Sequence, residues 1–166
     1  PGVGVVVIAA SAGGLNAITC ILSELPENFG VPILIVQHLD PKHQSHLAEI
    51  LSRRVRLRIK QAENGEPLCA HTVYIAPPDK HLLIAKDFLV ALGSQAQVQF
   101  VRPSADLLFE SAAEVYLDRT IAVVLTGTGH DGAQGMRLVH ARGGVTVAQD
   151  HATSEFFGMP GAAIDS

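Results

Sequence analysis

The sequence predicts an α/β domain built on a mainly parallel sheet, and three observations predict it. Strand and helix patterns alternate from the start of the chain. The strand runs, such as "VGVVVIAA" at residues 3–10, are β-branched and nearly continuous, as in strands buried on both faces. Serine, histidine and aspartate each lie just past one of those runs, at the sheet end where open α/β folds place their function.

The elements follow in order. After the first strand, Leu15, Ile18, Ile21, Leu22 and Leu25 recur at helical spacing, so a helix is expected over residues 15–25. "PILIVQH" (32–38) is a second buried strand. "SHLAEILSRR" (45–54) is a second amphipathic helix with Ser45 as its N-cap. This order implies parallel strands with right-handed crossovers.

The middle of the chain changes character. "RLRIKQA", "TVYIAP", "HLLIA" and "FLVAL" are short strands separated by "ENGE", "PPDK" and "KD", and are expected as a meander or hairpin insertion. "GSQAQVQF" (93–100) is a loop or an edge. A helix then starts at Ser104 as N-cap, with Leu107, Leu108, Ala112, Val115 and Tyr116 on its inner side. "TIAVVLTGTG" (120–129) is a buried strand running into a Gly-rich turn. The helix of "GAQGMRLVHARGG" is ended by Gly143 and Gly144, "VTVAQD" is a last strand, and "ATSEFFGMPGAAI" a helix or turn.

The 166 residues suffice for one domain with a real core, and 48% apolar against 17% charged composition fits a folded protein. A net charge of -4 argues against nucleic acid as the main partner. "RRVRLRIK" (53–60) is the local exception. Alternation there puts Val55, Leu57 and Ile59 on one face and Arg54, Arg56, Arg58 and Lys60 on the other, as a solvated strand face or one for an acidic partner. Cys20 and Cys69 form no CxxC pair and are expected as free thiols in a reducing compartment. No signal peptide is evident, and no apolar stretch reaches the ~18 residues of a membrane helix, so a cytoplasmic protein without membrane insertion is expected.

The chemistry collects at three strand ends. Ser11 closes the first, His38 the second, and Asp131 follows the strand that ends near Thr126. Together they are the parts of an acyl-transfer site: the serine attacks, the histidine takes its proton, and the carboxylate orients the ring by accepting its Nδ1 proton. The amide of Ala12, just after the nucleophile, is the natural first oxyanion donor. Each residue has a plainer reading. Ser11 could cap the helix that begins near Leu15, His38 could be an ordinary strand-end histidine, and Asp131 could cap the helix after it, where asparagine would serve nearly as well. It is their coincidence that favours chemistry.

Two other readings compete. The turn "ASAGG" could cradle a phosphate, but it lacks the GxGxxG spacing, a Walker lysine and an acidic residue closing the second strand. His38, His43 and His46 cluster near Asp40, but His43 and His46 flank a helix start and are expected to face solvent; no metal or other cofactor is expected.

Seven motifs, "IAASAGG", "QHLDP", "YIAPPDKH", "RPSADLLF", "LTGTGHDGAQGM", "AQD" and "FGMP", occur in the order found in the catalytic domain of the chemotaxis protein-glutamate methylesterases (CheB-type), which the chain resembles over nearly its whole length. The resemblance implies a doubly wound sheet flanked by helices with a small antiparallel hairpin. It implies a triad of Ser11, His38 and Asp131, and an oxyanion site completed by the backbone amide of Thr128. It implies hydrolysis of glutamate γ-methyl esters on methylated chemoreceptors, with glutamine deamidation as a companion activity.

Many chemotaxis members carry threonine where this chain has Ala12 and methionine where it has Thr128. The "SAGG" and "GTGxDG" forms resemble the variant fused to methyltransferases. Residues 1–166 are expected to form a single catalytic domain, with a receiver or methyltransferase domain, if any, elsewhere and a C-terminus that stops short of the family's usual length. The remaining alternatives are a serine esterase or amidase with another substrate and a catalytically silent sensory module.

Overall fold

A computed structural model describes residues 2–38, 46–98 and 100–166. Its main sheet is entirely parallel. β1 (Val5–Ala10) lies near its centre, between β2 (Ile33–Gln37) and β7 (Thr120–Val124). The order across the sheet is β3-β4-β2-β1-β7-β8, with β3 at Arg58–Gln61, β4 at Thr72–Ile75 and β8 at Val145–Ala148. β5 (His81–Ile84) and β6 (Val90–Gly93) form a separate antiparallel hairpin. Strand order therefore reverses beside β1, and the crevice between the carboxyl ends of β1 and β7 is the switch point where such folds bind ligands.

The alternation along β1 explains why its sequence is apolar throughout. Val5, Val7 and Ala9 belong to one core cluster, with Leu108, Phe109 and Ala112 of α3 (Ala105–Tyr116), Met136 and Val139 of α4 (Ala133–Ala141), and Leu82 and Val90 of the hairpin. Val6, Ile8 and Ala10 point the other way, onto Ile18 and Leu22 of α1 (Gly14–Glu24) and Leu47 and Leu51 of α2 (Leu47–Ser52). A strand covered on both faces has no polar side to show. The sheet is doubly wound, as expected, and α5 (Gly158–Asp165) completes the chain on the α4 side.

The middle of the chain departs from the meander reading. β3 and β4 are not part of the insertion; they extend the parallel sheet, Arg58 facing Thr72 through Gln61 facing Ile75. Parallel neighbours usually need a helical crossover, and residues 62–71 hold none. The hairpin takes its place. Gly65 N–H donates to Val90 C=O, Val90 N–H to Glu66 C=O, and Leu68 N–H to Phe88 C=O, so the crossover is strapped to β6 and its approach.

Smaller differences have local causes. Leu107 is only half-buried; Phe109 takes the inward place on α3. Ser45, expected to cap α2, lies outside the described residues, and His46 stands at the helix start. Arg54, Arg56 and Arg58 are exposed and Leu57 is buried, so the alternation of that stretch holds. Both cysteines are free and exposed. Among the described residues no helix is long and apolar enough to cross a membrane.

Candidate active site

Ser11 is held at the end of β1 by backbone on both sides. Its N–H donates to Thr126 C=O at 3.0 Å, across the β1/β7 crevice, and its C=O accepts from Gly14 N–H at 2.9 Å. The turn then needs two glycines for two reasons. Gly13 has φ 77°, in the left-handed region that penalises a side chain. Gly14 lies so close to the Gln37 amide that a Cβ there would collide with it. Ser11 Oγ bonds to no described residue and does not cap α1, whose start has no side-chain cap at all. The capping reading of Ser11 therefore has no support in the structure.

His38 leaves β2 with its N–H on Ala10 C=O at 3.0 Å, which anchors it beside the start of the Ser11 turn. Its ring meets Asp131: Nε2 lies 2.8 Å from Oδ2. The expected contact was through Nδ1. Sequence does not encode which way an imidazole turns; here the carboxylate approaches the far nitrogen, and Nδ1 has no partner among the described residues. Ser11 and His38 line one cavity of about 490 Å³ with Ala12, Gly13, Gly14, Leu15, Asn16 and Gln37. Among the described residues that lining holds no lysine or arginine.

Asp131 is only 4% exposed and accepts four hydrogen bonds. Oδ2 takes His38 Nε2 and Ala105 N–H at 2.6 Å; Oδ1 takes Ser104 Oγ at 2.9 Å and Asp106 N–H at 3.0 Å. It therefore caps a helix, but α3 rather than the α4 that follows it. Ser104 occupies the N-cap position, as expected, yet its hydroxyl makes no cap bond and serves Asp131 instead. Burial alone would raise the Asp131 carboxyl; the bonds from His38, Ala105 and Asp106 outweigh it and hold the group below the usual carboxylate range.

The backbone amides expected to hold an oxyanion are those of Ala12 and Thr128. Gly127 N–H is spent on Phe156 C=O. Ala12 and Thr128 N–H make no hydrogen bond to a described residue, so both named donors are unspent. His130, beside Asp131, is exposed and outside this network.

Gln37 and Asp106 carry roles that sequence reasoning missed. Gln37 Nε2 donates to Ser11 C=O at 2.7 Å and to His38 C=O at 3.2 Å, tying the two strand ends together. Asp106 Oδ1 accepts from Gly132 N–H at 3.0 Å and Gly135 N–H at 2.8 Å, capping the helix that Asp131 does not. A signal existed for both: Gln37 adjoins His38, and Asp106 lies inside "RPSADLLF". Of the residues weighed for a metal, Asp40 and His43 lie outside the described residues, and His46 is exposed and paired to Glu49 at 3.4 Å. Among the described residues no His, Cys, Asp or Glu cluster could hold a metal ion.

The chain has clear relatives among known proteins. A family model described as CheB methylesterase matches residues 6–166. A Leptospira interrogans protein named "Putative protein-glutamate methylesterase/protein-glutamine glutaminase" is 45% identical over 161 residues, covering 97% of this chain and 83% of that protein. Protein-glutamate methylesterase/protein-glutamine glutaminase 4 of Myxococcus xanthus is 44% identical over 97% of this chain and 46% of its own length. The crystal structure of the Thermotoga maritima CheB methylesterase catalytic domain superposes with a TM-score of 0.94 at 39% identity, covering 99% of this chain and 89% of that one.

Proposed function

The chain belongs to the CheB methylesterase family, and from that premise we propose that Ser11, His38 and Asp131 hydrolyse glutamate γ-methyl esters on chemoreceptors. The observation that carries the reading is the 2.8 Å contact between His38 Nε2 and Asp131 Oδ2, made by a histidine that shares its cavity with Ser11.

The proposed steps are those of acyl transfer through a serine. Ser11 Oγ attacks the ester carbonyl while His38 Nδ1, the nitrogen away from Asp131, takes its proton. Asp131 stabilises the imidazolium through Nε2–H without taking the proton itself. The negative oxygen of the tetrahedral intermediate settles on the Ala12 and Thr128 amides. Collapse breaks the C–O bond to the methoxy group, which leaves as methanol with the proton from His38. Water then attacks the acyl-enzyme, activated by the same ring, and releases a glutamate carboxylate and free Ser11.

A glutamine side chain fits the same sequence, with ammonia as the leaving group, so we include deamidation in the proposal. Neither product needs a cofactor. Release of methanol from a methylated receptor by the wild type, and its loss in Ser11→Ala, tests the reading. Release from a different ester alone would leave the mechanism and move the substrate.

A further inference from the structure

We infer that His81 is a positioning residue for the Asp131 carboxylate, and that through it the β5–β6 hairpin sets the geometry of the site. The inference rests on the reading of Ser11, His38 and Asp131 as a triad.

His81 opens β5 and is completely buried. Both ring nitrogens are committed. Nδ1 accepts from Ser104 N–H at 3.1 Å, and Nε2 lies 3.1 Å from Ala96 C=O. A backbone N–H can only donate and a carbonyl can only accept, so these partners select one form of the ring: neutral, with its proton on Nε2. Ser104 in turn gives its hydroxyl to Asp131 Oδ1, and the next two amides of α3 grip the same carboxylate. A continuous path runs from Ala96 through His81, Ser104 and Asp131 to His38.

The chemistry explains what the ring supplies. The Ser104 amide is buried and precedes the first turn of α3, where no helical carbonyl can receive it. His81 Nδ1 is its acceptor. Remove that acceptor and the buried N–H must turn or go unpaired, and the Ser104 hydroxyl turns with it. Asp131 Oδ2 then loses the fixed aim that sets the His38 ring. Ala96 C=O holds the other end of His81, so the ring cannot follow Ser104 away.

The test compares three substitutions in the whole domain by kcat and KM for methanol release, with Tm for each. The Asn Oδ1 atom stands where Nδ1 stands, so His81→Asn keeps the acceptor for Ser104. The Gln amide nitrogen reaches the Nε2 position, so His81→Gln keeps only the bond to Ala96. His81→Leu keeps neither. The expected result is kcat within a few-fold of wild type for Asn, and a fall of roughly 10- to 100-fold for Gln and Leu, as a misplacement on the order of 1 Å produces. KM should stay within about twofold throughout, because His81 touches no substrate.

Folded His81→Leu with wild-type kcat overturns the inference, as does a loss confined to KM. If the Leu variant does not fold, Asn against Gln decides, and equal kcat for those two overturns it. Failure of the parent reading shows separately, as a wild type that releases no methanol. The rate of Ser11 labelling by a serine-directed fluorophosphonate then replaces kcat, with the same order expected, and an unlabelled wild type overturns both.

Discussion

Asp131 and Asp106 cap each other's helices. Asp131, just before α4, accepts from the amides of Ala105 and Asp106 at the start of α3; Asp106, in the first turn of α3, accepts from Gly132 and Gly135 at the start of α4. The exchange locks the two helix starts against each other, and it places the Asp131 carboxylate in a socket made by a different element from its own.

That socket changes what Asp131→Asn should do. All four partners of the carboxylate are donors, and an amide offers one acceptor atom and one donor group. One side of the asparagine must face two donors. The expected cost is about 1–3 kcal/mol of stability from the unpaired buried groups, together with a fall in kcat of roughly 10⁴-fold as in the equivalent serine-protease change. Urea unfolding and kcat on the same preparation check both. A variant with wild-type stability would contradict the socket, and one within tenfold of wild-type kcat would remove Asp131 from the mechanism.

The two carboxylates should also shape stability against pH in opposite senses. Asp131 is held low, so its contribution is present above the ordinary unfolded value near ~3.9 and is lost as pH falls through the lower folded value. Asp106 is pushed up, first by burial and also by the Asp131 charge, against the amide bonds of α4. The folded state then holds its proton longer than the unfolded chain, and stability falls as pH rises from about 4 through the raised value. Asp106→Asn keeps an oxygen for Gly132 and Gly135 and removes that fall. Its Tm from pH 3 to 7 should rise and then hold, where the wild type rises and then declines. Identical profiles for the two proteins would contradict the assignment.

Gly14→Ala tests the tie between the strand ends. The added methyl would meet the Gln37 amide, which must leave Ser11 C=O or His38 C=O to make room. Overpacking of this kind costs about 1–3 kcal/mol. Activity should fall further than stability alone explains, with kcat reduced in protein that is still folded at the assay temperature. An alanine variant with wild-type kcat would show that Gln37 does not set the spacing of Ser11 and His38.

Ser11, His38 and Asp131 stood out as candidates because each follows a buried strand run, and parallel strands deliver their carboxyl ends to one edge. The sheet was legible at β1, β2 and β7 for the same reason. The pairing of β3 with β4 was not, because the crossover that makes it parallel has no helical pattern to announce it. The partner helix of Asp131 was hidden as well: Ala105 lies 26 residues away in sequence, and only the packing of α3 on α4 brings it near. His81 sits in "HLLIA", where the pattern says strand and nothing says that both ring nitrogens are spoken for.

The proposed reaction turns on Ser11. Ser11 Oγ caps nothing and bonds to no described residue, so its loss should shift stability by no more than about 0.5 kcal/mol, the range of substitutions away from structural features. The direct measurement is methanol released from a methylated chemoreceptor by purified wild type and purified Ser11→Ala. The account predicts steady release by the wild type and none above background by the variant, at equal Tm. Release by Ser11→Ala at a rate near wild type would contradict it.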